Sequence, residues 1–450
     1  LILLAPSLLL PILTGLAIAN FRPCRHGWLR GVLGTAVGIG LASLCYFLSL
    51  ATGIQELVIE GLLLIGAGGW WVWRRKDPCL HCTAKDRPAG GYERLLMTAF
   101  LLVLAGAAAV LVAESAHTPH GNWDAWAIYN LRARFLYRAG PNWRDAFSPL
   151  LLWSHPDYPL LVPAFVARTW KHIGQDSTWV PALTALMFTL GAPVVLAAVV
   201  SILRGREQGW LAGLFLLGTP FFIMHGAAQY ADVEVAFFVL ATVSLLALHD
   251  DRPAEREFAV LAGLCAGLAA WSKNEGLLFI AVVVAARVAA LLLTRQGSQL
   301  KHELPMFAAG LAPILAAVLY FRQTLATTNY FLAASVGGGP VTRALDFSRY
   351  VIVAKGFLVH LWTFGDLYVS PFLLLGVFVL LVKPDAGARR SSAFTSLFAV
   401  ILMLAGYSMV YVGTQGDLAW ILNTSLDRLL LQIWPLSILS AFLAVRRAEA

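Results

Sequence analysis

Long apolar runs recur from one end of the chain to the other. Stretches of about 17–25 residues, the length a helix needs to cross a ~30 Å hydrocarbon core, lie near 1–19, 29–51, 57–73, 94–114, 178–203, 210–228, 234–249, 257–272, 277–294, 304–322, 366–383, 393–412 and 431–446. Backbone polar groups in lipid must be paired within the segment, so these runs are helices and not strands. They predict an all-α polytopic membrane protein with about 13 transmembrane helices. Only 13% of the residues are charged, roughly half the share of a soluble domain, which excludes a chain of ordinary globular domains.

Lysine and arginine sort the loops. Arg22, Arg25 and Arg30, then Arg74, Arg75, Lys76, Lys85, Arg87 and Arg94, then Arg204 and Arg206, Arg252 and Arg256, Arg295 and Lys301, Lys383, Arg389 and Arg390, and finally Arg446 and Arg447 fall in alternate loops. The positive-inside rule makes those loops cytoplasmic. The net charge of +8 is thereby spent on topology, and no nucleic-acid partner is expected. Three segments fall outside, at about 115–177, 323–365 and 413–430. Cys79-Leu-His-Cys82 lacks a second ligand pair for zinc and reads as loop. Gly337-Gly-Gly339-Pro340 reads as a flexible loop. No cleavable signal peptide is expected ahead of the first run.

The first outer loop is the richest in chemistry. Around Asp124 stand Trp123, Trp126, Tyr129 and Asn130. Read as one helix, it places Asp124 on a face with Ile128 and Leu131, and the tryptophans suit the headgroup level. A carboxylate held there is a general-base candidate; the competing reading is an N-cap or surface aspartate in an aromatic belt. The loop closes with His155-Pro-Asp157-Tyr158-Pro, able to meet a substrate headgroup or simply to turn the chain.

The remaining candidates sit at outer span ends. Asp232 and Glu234 follow Ala231 at a short hairpin; two residues apart on a helix, they diverge by about 200°. A divalent ion at these acids is left open. Trp271-Ser-Lys273-Asn-Glu275 caps the next outer hairpin, where Lys273 can meet a lipid phosphate or pair with Asp232 or Glu275. Arg428, ahead of the last apolar run, can grip phosphate oxygens through two parallel hydrogen bonds or pair with Asp427. Arg343 and Arg349 add positive potential. No phosphate-binding glycine loop is present.

The order and sidedness of these elements resemble the GT-C superfamily of polytopic, lipid-linked glycosyltransferases, in the branch of protein O-mannosyltransferases and aminoarabinose transferases. The likeness runs over 94–300, through Asp124, His155-Pro156, Ala231-Asp232 and Ser272-Lys273. It implies Asp124 as catalytic base and a polyprenyl-phosphate sugar as donor, with inversion at the anomeric carbon. It further implies that Lys273, Arg428 and His155 hold the donor phosphate. Trp123, Trp126, Tyr129, Asp157, Asp232, Glu234 and Glu275 would line the substrate pocket. The acceptor would be a glycan, lipid or protein at the outer surface of a plasma (inner) membrane. Many relatives carry lysine where His155 stands, and the acid pair of the mannosyltransferases is single here.

The division expected is 1–93, additional helices with a basic cytoplasmic loop and no assigned role; 94–300, the catalytic core; and 301–450, C-terminal helices with the two later outer loops. The rival reading is a transporter or lipid flippase with a polar path through Asp232, Glu234 and Lys273. Depth separates the two: a transporter needs ionisable groups near mid-membrane, whereas nearly all the candidates lie at outer span ends and Glu60 is the chief exception.

Overall fold

A computed structural model describes residues 4–19, 27–74, 90–327, 339–385 and 390–446. Cys79, Cys82, Gly337 and Gly338 lie outside the described residues, as do several of the basic loop residues named above. The described chain is helical without a strand, apart from one isolated bridge between Pro384 and Val445. The helices are α1 (Leu4–Ile18), α2 (Gly27–Thr52), α3 (Glu56–Arg74), α4 (Gly91–His117), α5 (Asn130–Arg138), α6 (Leu161–Ile173), α7 (Trp179–Arg204), α8 (Arg206–Leu217), α9 (Pro220–Ala227), α10 (Asp232–Asp251), α11 (Glu257–Ser272), α12 (Glu275–Leu293), α13 (Leu300–Thr324), α14 (Pro340–Ala344), α15 (Phe347–Thr363), α16 (Pro371–Val382), α17 (Arg390–Gly413) and α18 (Leu418–Ala444).

Each apolar run coincides with a helix, but length and apolarity qualify fewer as spans. Eight of the described helices are long and apolar enough to cross a membrane, or nine if the bent α8–α9 pair counts as one. The expected count of thirteen is not reached on that measure: α1, α11 and α16 are shorter, and α3 is not among the eight. The α8–α9 bend of 62° falls at Gly218-Thr219-Pro220, where proline removes a donor and opens a new first turn. The Thr219 hydroxyl donates back to Phe215 O at 3.2 Å and accepts a bond from Trp434 Nε1 at 3.1 Å.

The outer segment expected at 323–365 is not all loop. Along α15, Gly356 packs on Leu422, His360 bonds Asp427 at 2.9 Å and Phe364 meets Trp434. Along α16, Phe372 meets Trp434 and Phe378 meets Phe442. Both helices therefore run parallel to α18 and together form one broken element. Likewise 413–430 is mostly helix, since α18 begins at Leu418 and carries Arg428 about three turns in.

Two levels of charge mark the ends of the bundle. At one end the basic turns gather: Arg204 pairs with Asp385, Arg206 with Glu93, and Gln208 donates to Arg446 O. Arg287 lies just inside that end, with two bonds to Asp250 at 2.5 and 3.0 Å and two to Glu303 at 2.7 Å each, and Ser391 and Ser392 are also on Asp250. At the opposite end lie the loops that carry the candidate residues.

The N-terminal helices brace this second end. Arg168 of α6 is buried and bonds both carboxylate oxygens of Glu60 on α3 and the carbonyl of Ser7 on α1. Glu56 takes Lys171 at 2.9 Å, Tyr46 donates to Leu136 O and Ser43 to Leu160 O. Glu60, which stood out within an apolar run, is thus the partner of an arginine on α6, in the segment expected as the first outer loop. Close helix contact positions the rest: Gly263 of α11 and Gly310 of α13 each approach the other helix's backbone so nearly that a Cβ would lie 1.9 Å from a carbonyl oxygen, the small-residue packing that membrane helices favour.

Candidate active site

Gly121 sets the position of Asp124. Its φ of +67° suits glycine, and an added Cβ would fall 2.6 Å from Ala228 O. Asn122 N then donates to Ala228 O at 3.1 Å, fixing the loop against the hairpin that precedes Asp232. The helix expected from Asp124 onward is in fact a π turn, Ala125–Tyr129, running into α5. Trp123 and Trp126 are 57% and 42% exposed and pack edge to face at 4.6 Å, as an interfacial pair should. Tyr129 is buried, and its hydroxyl has no hydrogen-bond partner among the described residues.

Five of the residues singled out by the sequence converge: Asp124, Asp232, Lys273, Glu275 and Arg428. Arg428 Nη2 bonds Asp124 Oδ2 at 2.5 Å and Asp232 Oδ2 at 2.9 Å, while its Nε reaches Asp232 Oδ2 at 3.1 Å. Asp232 Oδ1 accepts Lys273 Nζ at 2.9 Å and Gln432 Nε2 at 2.7 Å. Glu275 stands 3.3 Å from the same ammonium. Tyr407 donates to Gln432 at 2.9 Å, and the Arg428 guanidinium lies over the Tyr230 ring. Lys273 is fully buried; desolvation opposes its charge, but Asp232 and Glu275 outweigh it and hold the ammonium well above the ordinary lysine range. It is a cation at any physiological pH.

The two aspartates differ in what they can do. Asp232 carries four donated bonds on two oxygens, so neither oxygen is free to take a proton. Among the described residues, Asp124 is tied only through Oδ2, to an arginine it shares. Of the pair, Asp124 alone has the vacancy a base needs.

The 154–158 turn completes the floor. His155 takes the left-handed region with φ 47° and stacks on Tyr158 at 4.8 Å; the Tyr158 ring faces Lys273 Nζ at 5.5 Å. Asp157 accepts Asn274 Nδ2 at 2.7 Å, which ties the turn to the Lys273 hairpin. Burial is the main cause that holds the His155 imidazole below its ordinary 6.5, against the pull of Asp157 and Asp124. The ring is therefore neutral at pH 7 and offers an N–H rather than a charge. Since the folded state disfavours the imidazolium, this group stabilises above pH 6.5 and the contribution fades as pH falls through the depressed value. Unfolding midpoints measured against pH should decline below 6.5, and His155→Gln should flatten that decline; an identical curve would dismiss the effect.

Some candidates do not join the cluster's bonds. Helix α10 begins at Asp232, so Glu234 is turned about 200° away, buried with its Oε2 unbonded among the described residues. Asp427 pairs with His360 and not with Arg428. Arg343 Nε and Arg349 Nε donate to Gly413 O and Val412 O, capping the end of α17 rather than reaching the cluster. Among the described residues no three His, Cys, Asp or Glu side chains group to hold a metal ion. Gln432, Tyr407 and Arg132 were missed; a lone glutamine inside the last apolar run was the available signal.

These features define a polytopic, all-helical membrane protein with a bonded acid–cation cluster at one end of its spans. Over residues 154–321, more than a third of the chain, the sequence matches the family described as dolichyl-phosphate-mannose-protein mannosyltransferase. The match supports a membrane glycosyltransferase of the GT-C type, as the motif order suggested. It takes in His155, Asp232 and Lys273 and leaves Asp124 and Arg428 on either side. No curated protein and no solved structure matches the chain.

Proposed function

We propose that the chain transfers a sugar from a polyprenyl-phosphate donor to an acceptor at the outer face of the membrane, with Asp124 as general base. The observation that carries this reading is the sharing of Arg428 between Asp124 and the saturated Asp232. A donor phosphate entering the cluster competes with Asp124 for Arg428 Nη2. Once it wins, Asp124 is released beside the bound sugar. An acceptor O–H or N–H gives its proton to Asp124 as the acceptor atom bonds the anomeric carbon from the face opposite the phosphate. The anomeric C–O bond breaks, its electron pair stays on the phosphate oxygen, and polyprenyl phosphate leaves with inversion.

Charge accounts for the cations. The donor is a phosphodiester with one negative charge, and the departing monoester gains a second. Arg428 and Lys273 therefore interact more strongly with the transition state than with the bound donor, which is what accelerates a reaction. Asp232 keeps both cations in place. A transporter path fits less well: about 27 Å of α10 separates the Asp232 level from the Asp250 level, and no acid, lysine or arginine of α10 lies between Glu234 and Asp250.

Arg428→Lys tests the phosphate contact. One ammonium cannot hold Asp232 through two N–H groups and still reach a phosphate. Losing a charge-assisted bond of ~1.5–3 kcal/mol should raise the donor KM by about 10–100-fold in assays with purified polyprenyl-phosphate sugars. An unchanged donor KM would remove Arg428 from the site.

A further inference from the structure

We propose that Arg132 is a positioning residue of this transfer: with Ser154 it fastens the π turn that follows Asp124 to the 154–158 turn that faces Lys273. The inference rests on the reading of Asp124 as base.

The bonding is specific. Arg132 sits on α5, continuous with the π turn, and is 1% exposed. Its Nη2 donates to Ser154 O at 2.8 Å and His155 O at 2.7 Å, and Nη1 to Tyr158 O at 3.2 Å. In return Ser154 Oγ donates to Ala127 O at 2.7 Å, inside the π turn. The two segments are thus bonded in both directions. Through Asp157–Asn274 and the Tyr158–Lys273 contact, the same unit is registered against the Lys273 hairpin.

The arrangement is costly, which argues that it has a use beyond filling space. Burying a guanidinium costs several kcal/mol, and burial pushes Arg132 down to about 10, with Asp157 opposing. Every bond of its two terminal nitrogens named above goes to a backbone carbonyl rather than to a carboxylate. The His155 carbonyl is delivered by a left-handed backbone that L residues seldom adopt, and strain of that kind concentrates at functional sites. A planar fork is needed, because the three carbonyls lie on two separate nitrogens; a lysine supplies a single point.

Kinetics on Ser154→Ala and Arg132→Lys, with donor and acceptor varied separately, test the idea. A catalytic group misplaced by about 1 Å loses on the order of 10²-fold in rate, so R132K should lose about that much kcat. S154A, short of one hydrogen bond, should lose about tenfold. Donor KM should stay within about twofold, and both proteins should melt close to the parent. Guanidinium added to Arg132→Gly should restore turnover where ammonium does not. Unchanged kcat in both S154A and R132K, or kcat and donor binding falling in parallel, would overturn the proposal. An inactive Asp124→Asn beside a fully active R132K sinks this inference alone; an active Asp124→Asn sinks the reading beneath it.

Discussion

Asp124→Asn should abolish transfer and, in the same protein, tighten donor binding. The first half follows from the loss of the one of the two aspartates sharing Arg428 that keeps an uncommitted oxygen. General-base removal costs about 10²–10⁴-fold. The second half follows from Arg428. In the parent chain Asp124 Oδ2 holds Arg428 Nη2 at 2.5 Å, and a donor phosphate must displace it. An asparagine amide removes that competitor and one negative charge next to the phosphate, while keeping the side chain's size. At an effective dielectric of ~20, a unit charge 4–5 Å away contributes a few kcal/mol, and partial solvent access trims this, so a donor Kd lower by about tenfold is the expected scale. Donor-induced thermal stabilisation reads the affinity and a radiolabelled sugar transfer reads the turnover. A protein that loses both together would show that Asp124 holds the donor rather than awaits it. Retained turnover would end its role as base.

Much of this cluster was legible because membrane sequences are sparse in charge. With 13% of residues charged, an acid or base at a span end stands out, and Asp124, Asp232, Lys273 and Arg428 all did. What the sequence hid was pairing across distance: Arg428 and Asp124 are separated by 304 positions, and nothing local to either names the other. Spacing showed that a helix would turn Glu234 away from Asp232, yet Glu234 was expected in the pocket; the helix beginning at Asp232 decides the matter. It did not foretell the π turn after Asp124, because a wide turn changes the hydrogen-bond register without any apolar signature. The stretch 347–363 read as loop because its polar residues interrupt the apolar pattern; Lys355, His360 and Arg349 sit among Leu358, Val359 and Trp362, and packing along α18 decides the outcome. Glu60 stood out at its depth, yet its partner Arg168 lay in a segment expected to be outer loop.

The other end of the bundle carries the largest expected effect on stability, at residues that no local pattern singled out. Asp250 lies among the charges of a basic turn and Glu303 beside another, while Arg287 lies inside an apolar run. Folding brings them together: Arg287 Nε and Nη2 span both oxygens of Glu303 at 2.7 Å each, while Nη1 and Nη2 span both oxygens of Asp250 at 3.0 and 2.5 Å. One guanidinium so joins α10, α12 and α13, and Thr395 with Ser391 and Ser392 adds α17. Arg287→Ala leaves two buried carboxylates facing the same vacancy. Removing one member of a buried ionic group typically costs 3–5 kcal/mol, chiefly as the penalty of the charges left behind. If that is the cause, the loss should shrink as pH falls and one acid takes a proton. The combined change Arg287→Met, Asp250→Asn and Glu303→Gln should recover most of it, since an uncharged set of similar volume leaves no stranded charge. Unfolding midpoints of the detergent-solubilised single and triple variants across pH 5–8 provide the measurement. A single variant as stable as the parent, or a triple variant no better than the single, would show that the four helices are held at this end by packing alone. Transfer activity in the triple variant should remain near the parent's, because the site it might disturb lies about 27 Å along α10.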